Sequence, residues 1–143
     1  MGNRLAPSPR IYAVGDIHGC ERKLRTLFKV CVEHSGDHPF QFIFLGDYID
    51  RGDDSRAVIE WLMSMQTMIP EQILCLRGNH EDLCAGAMFG TKDQEAQWLL
   101  NGGDRTLLSY GVHRARDIPQ AHRRWMLASE HHCPQDSLGE EPV

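Results

Sequence analysis

The chain has 143 residues, 41% hydrophobic and 24% charged, with 13 Gly and 7 Pro. This is one domain's worth of ordinary globular sequence, and it excludes a multidomain, disordered or collagen-like architecture. The 15 Lys+Arg against 20 Asp+Glu leave a net charge of -5, which excludes a global attraction for nucleic acid or an anionic membrane, so an anionic substrate needs a local site. No run approaches the roughly 20 apolar residues of a membrane span, and Met1 to Ala6 lacks the apolar core of a secretory signal. Cys20, Cys31, Cys75, Cys84 and Cys133 are scattered without a Cys-x-x-Cys pair. That usage predicts a reduced, cytoplasmic protein with no thiolate zinc site.

In chain order, Ile11 to Val14 is a short apolar run that ends in Gly15-Asp16-Ile17-His18-Gly19-Cys20, a buried strand leading into a glycine-flanked loop. Leu24, Leu27, Phe28 and Cys31 then recur at i, i+3, i+4 and i+7, which predicts a helix over Glu21 to His34, broken at Ser35 to Pro39. Phe40 to Leu45 is a second strand, ending in Gly46-Asp47-Tyr48-Ile49-Asp50-Arg51-Gly52-Asp53. A second helix follows from Ser55 to about Gln66, with Asp54 or Ser55 available as its N-cap, and Pro70 closes the connection. Ile73 to Leu76 is the third strand, running into Arg77-Gly78-Asn79-His80-Glu81 and a helix to about Met88. Short helices are expected at Asp93 to Leu100, Arg105 to Tyr110 and Pro119 to Ser129. His131 to Val143 has no periodicity and reads as an irregular tail.

Three successive strand, polar loop, helix units predict an α/β fold with a mainly parallel sheet and flanking helices, its ligand site outside the carboxyl ends of the strands. All three polar loops fall at that edge and gather Asp16, His18, Asp47, Asp50, Asn79, His80 and Glu81, with Arg51 and Arg77 beside them. Carboxylates converging in a low-dielectric cleft repel unless cations sit between them. Carboxylate, imidazole and amide donors without thiolate suit Mn, Fe or Zn, and two ions about 3.5–4 Å apart suit phosphoester hydrolysis.

Gly15-Asp16-x-His18-Gly19, Gly46-Asp47-x-x-Asp50-Arg51-Gly52 and Gly78-Asn79-His80-Glu81 closely resemble the three N-terminal signatures of the calcineurin-like metallophosphoesterases. The wording of the second and third motifs, and Trp98-Leu99-Leu100-Asn101-Gly102-Gly103, resemble the serine/threonine phosphoprotein phosphatase branch, in its small bacterial and phage form. The resemblance implies the N-terminal half of an α/β/β/α sandwich and a metal-activated hydroxide that hydrolyses phosphomonoesters, with phosphoserine or phosphothreonine as substrate. It implies that Asp16 and His18 bind a first metal, that Asp47 bridges two, and that Asn79 binds the second. His80 is then the general acid, oriented by Asp50, while Arg51 and Arg77 hold phosphate oxygens. Gly15, Gly46 and Gly78 let the backbone turn sharply beneath the metals.

The family's remaining histidine ligands of the second metal lie beyond the third motif, and nothing here matches them. The second metal site is therefore expected to be incomplete. The expected phosphoesterase domain spans residues 1–130, as the N-terminal portion of a truncated or frame-shifted product, followed by a tail over 131–143. Two other functions stay open: a bis(5'-nucleosyl)-tetraphosphatase, which shares the fold and metal motifs, and an inactive metal-binding fragment. A phosphoprotein or small phosphoester is the expected partner, with no nucleic acid and no membrane. His34, His38, His113 and His122 read as surface or core residues. Trp61, Trp98 and Trp125 read as packing residues, and Arg114, Arg116, Arg123 and Arg124 as a solvated basic face.

Overall fold

A computed structural model of the chain describes residues 5–128. The expected tail, with His131 and His132, lies outside the described residues. Strands β1 (Arg10–Val14), β2 (Phe40–Phe44) and β3 (Ile73–Cys75) pair in parallel in the order β1-β2-β3. Val14 lies beside Phe44, and Phe44 beside Cys75, so the three strands end level and their following loops share one edge. Helix α1 spans Glu21–Ser35, α2 Ser55–Met68 and α3 Asn79–Phe89. The mainly parallel α/β arrangement is as expected.

Alternation along the strands sorts the side chains onto two faces. Phe42 and Phe44 are fully buried, and they pack under Phe28 of α1 and Trp61 of α2, with Phe28 and Phe42 ring centroids 4.7 Å apart and Phe28 and Trp61 5.1 Å apart. Val58, Ile59 and Leu62 complete this side of the core at 0% exposure. The opposite face is open where Ile11 (59% exposed) and Leu45 (49%) project. Among the described residues, no helix is long and apolar enough to cross a membrane.

Beyond α3 the chain continues as α4 (Lys92–Trp98), a kinked segment at Leu99–Gly103, α5 (Asp104–Tyr110), a 3-10 turn at Ala115–Asp117 and α6 (Gln120–Ala128). Thr91 caps α4 in a reciprocal box, its hydroxyl accepting the Gln94 N–H at 3.3 Å while Gln94 Oε1 accepts the Thr91 N–H at 2.8 Å. Neither expected cap of α2 acts as one. Asp54 makes no capping bond, and Ser55 Oγ instead accepts the Asp50 N–H at 3.1 Å.

Candidate active site

The three polar loops are laced together by their own backbones. The Ile17 and His18 N–H groups both donate to the Asp47 carbonyl at 3.0 and 2.9 Å, and the Gly19 N–H donates to the Tyr48 carbonyl at 2.9 Å. Buried Ile17, between Asp16 and His18, and buried Tyr48 and Ile49, between Asp47 and Asp50, anchor both loops in the core. The Tyr48 hydroxyl donates to the Leu76 carbonyl at 2.6 Å and so ties the second loop to the end of β3.

Glu81 supplies the third tie. Its buried carboxylate accepts the N–H groups of Asp47 (2.9 Å), Tyr48 (2.7 Å) and Gly78 (3.0 Å). Gly46 at φ +107 packs its backbone directly against Gly78, where a Cβ on either residue would collide with the other loop. Close approach, rather than an unusual φ, is what Gly78 contributes. Gly15 has no such role: it lacks a positive φ, and open space surrounds it.

Among the described residues, the non-glycine positions with positive φ are His18 (43°), Asp47 (57°), Asp50 (74°) and Arg51 (70°). Each such residue costs on the order of 1–3 kcal/mol, and such strain concentrates at functional sites. All four were singled out from the sequence as site residues.

The cluster at the centre is Asp16, His18 and Asp47, which offer three ligand atoms all within 4.8 Å of one another. His18 Nδ1 donates to the Ile49 carbonyl at 2.8 Å, which fixes the proton on that nitrogen. Nε2 is left with its lone pair, buried and without a hydrogen-bond partner among the described residues, 3.7 Å from Asp16 Oδ2. A buried acceptor facing two carboxylates fits a divalent cation, because the cation satisfies the lone pair and offsets the charge together. The Asn79 carboxamide stands over the same place. With its NH2 turned toward Asp47 it lies 3.0 and 3.1 Å from the two carboxylate oxygens, and a half turn presents its oxygen there instead.

Beside the cluster, the His80 ring lies edge-on to that of His18, with centroids 4.5 Å apart. The His80 N–H donates to Asp47 Oδ1 at 2.9 Å, and its Nδ1 meets Asp50 Oδ2 at 2.8 Å. Asp50 is completely buried, and burial pushes its carboxyl above the usual range against the pull of its hydrogen-bond partners. Those partners include Trp98, whose Nε1 donates to both carboxylate oxygens at 3.0 and 2.9 Å, and Thr106, whose hydroxyl donates to Oδ1 at 2.7 Å.

Arg51 is exposed, and its N–H donates to the Gly102 carbonyl at 3.1 Å. Arg77 is differently placed. Its Nε pairs with Asp82 at 2.6 Å and its Nη1 donates to the Leu127 carbonyl of α6 at 3.3 Å, so a phosphate would compete with Asp82 for it.

A profile described as Calcineurin-like phosphoesterase matches residues 9–140 of the sequence. The chain belongs to that family. As a calcineurin-like phosphoesterase it is 38% identical over 84 residues to a putative serine/threonine-protein phosphatase of Caenorhabditis elegans, a match that covers 59% of this chain and 18% of that one. A solved structure described as a putative diadenosine tetraphosphatase matches at 21% identity and a TM-score of 0.53, over 86% of this chain and 47% of that chain. A serine/threonine phosphatase from Saccharomyces cerevisiae, with similarity to human phosphatase PP5, matches at 20% identity and a TM-score of 0.45, over 73% of this chain and 35% of that one. The phosphoesterase chain thus spans less than half the length of these relatives.

Three side chains of the candidate site carry more than their sequence suggested. Glu81 is not in the cluster of potential metal ligands but holds two loops together. Trp98, expected only to pack, donates to Asp50, and Thr106 gave no local signal at all. His34, His38 and His122 behave as expected, bonding to the Tyr12 hydroxyl, the Ser8 carbonyl and the Tyr110 hydroxyl.

Proposed function

We propose that the chain carries the centre of a metal-dependent phosphomonoesterase of the serine/threonine protein phosphatase type, acting on phosphoserine or phosphothreonine. The observation that carries this reading is the orphaned His18 Nε2 facing Asp16 and Asp47, with the buried His80–Asp50 pair alongside. Two divalent ions, with manganese favoured over iron or zinc for this donor set, would be held by Asp16, His18 and Asp47 and by Asp47 and Asn79. Bound there, divalent cations offset the carboxylates and activate water for attack on phosphorus.

The chain's own residues supply the rest. Asp50 holds a proton on His80 Nδ1 and stabilises the imidazolium, leaving Nε2 to deliver a proton to the departing alkoxide. Arg51, reaching solvent from its strained backbone, binds the phosphate oxygens in a planar fork, and Arg77 joins it on release from Asp82. The free thiols of Cys20, Cys31, Cys75 and Cys84 fit a reducing compartment, the cytoplasm.

A bis(5'-nucleosyl)-tetraphosphatase would use the same centre, and a solved structure of similar fold bears a related description. One assay separates the two. The full chain, loaded with manganese, is offered a phosphoserine peptide and diadenosine tetraphosphate. Preference for the peptide, with a loss of about 100-fold or more in kcat for His80→Asn, is expected. Preference for the nucleotide, unchanged turnover in His80→Asn, or no turnover of either substrate with metal bound would overturn the reading.

A further inference from the structure

We propose that Trp98 and Thr106 are positioning residues that clamp the Asp50 carboxylate and through it fix the orientation of His80. The inference rests on the reading of His80 as the proton donor. It also makes a structural claim that can be tested without turnover.

The Asp50 carboxylate is fully buried and meets three side-chain donors. Thr106 Oγ1 takes Oδ1 at 2.7 Å, His80 Nδ1 takes Oδ2 at 2.8 Å, and Trp98 Nε1 bridges both oxygens. Rotation of the carboxylate about its Cβ–Cγ bond would break all of these bonds together. The Thr106 hydroxyl also accepts the Asp50 N–H at 2.9 Å, so one side chain grips both the backbone and the carboxylate of that residue. Asp50 sits at φ 74°, where an aspartate is not held by its own preference.

The path of the chain shows how two residues eight apart reach one carboxylate. In an uninterrupted α-helix they would be separated by about 12 Å along the axis and could not share a carboxylate. Here the helical path breaks after α4 at a kink within Leu99–Gly103, where Gly102 takes φ +102. This folds α5 back so that Thr106 faces the acceptor that Trp98 already holds. Gly103 lies so close to the Trp98 indole that a Cβ there would strike the ring, which leaves the indole no room to swing away from Asp50.

A role confined to stability predicts that losing the Thr106 hydroxyl lowers melting temperature and nothing else. A positioning role predicts more. His80 Nδ1–H, assigned in the labelled full chain by comparison with His80→Gln, should give a downfield, slowly exchanging proton resonance. That signal should persist in Thr106→Ser and broaden or vanish in both Thr106→Val and Trp98→Phe. With manganese present, Thr106→Val should lower kcat on phenyl phosphate about tenfold, a fraction of what a general acid supplies, with KM within about twofold. It should lower kcat less on p-nitrophenyl phosphate, whose leaving group needs no proton, and Thr106→Ser should restore the rate. An unchanged Nδ1–H resonance in both Thr106→Val and Trp98→Phe would overturn the clamp. Equal loss of rate on the two esters would also overturn it. If neither ester is turned over by the wild-type chain, the phosphatase reading fails, and the resonance comparison alone still decides the clamp.

Discussion

At the scale of single residues, the site depends on buried groups that never need to touch substrate. Glu81 is the clearest, since its carboxylate gathers three backbone N–H groups from two loops and burial raises its pKa from the ordinary 4.5. Replacing it with Gln turns an amide N–H toward these donors, and a buried donor left unsatisfied costs about 1–3 kcal/mol. Glu81→Gln should therefore lower unfolding free energy by about 2 kcal/mol in urea titrations, and a loss under about 0.5 kcal/mol would refute its structural role. His122 gives a pH signature. Burial lowers its pKa from the ordinary 6.5, so below that value the unfolded chain takes up a proton that the folded chain resists. Its contribution is fully present above about pH 6.5 and is lost as pH falls through the lowered folded value. The stability difference between wild type and His122→Gln should therefore shrink from pH 7.5 to 5.5, and a constant difference would contradict it.

At the scale of elements, the loops after the strands carry the candidate site residues, and the α4 to α5 segment bonds to two of them, Asp50 and Arg51. Gly102 is where the two meet. Its carbonyl accepts the Arg51 N–H, its φ is +102, and a Cβ would stand 2.8 Å from Arg51 Cγ and N. Gly102→Ala should cost about 1–3 kcal/mol through backbone strain and raise KM for a phosphate ester more than it lowers kcat, because it displaces Arg51. Kinetics and melting of this variant at wild-type levels would show that the contact is incidental. The three strand, loop, helix units were legible because hydrophobic period and glycine placement are local, and each strand end fell within a residue of its expected place. The clamp was not legible. Trp98 and Thr106 lie 48 and 56 residues from Asp50, and a hydrogen bond across that interval leaves no pattern in either neighbourhood. Glu81 was visible as a motif residue, but nothing local distinguishes a carboxylate that binds metal from one that binds backbone.

At the scale of the whole molecule, the three-stranded sheet of the described residues presents one packed face and one open face, and the candidate site lies where the strands end. Asp16 and Asp47 converge there beside a histidine whose Nε2 has no hydrogen-bond partner among the described residues. Family membership and the three ordered motifs agree with that geometry. The function proposed for the chain requires this cluster to bind a divalent cation. Calorimetric titration of the full chain with Mn2+, set beside the same titration of His18→Ala, tests it most directly. Saturable binding is predicted for the wild type, weakened in His18→Ala by at least the roughly 10- to 100-fold that loss of even an outer-shell partner costs. Equal affinity in the two proteins, or no binding by the wild type, would contradict it.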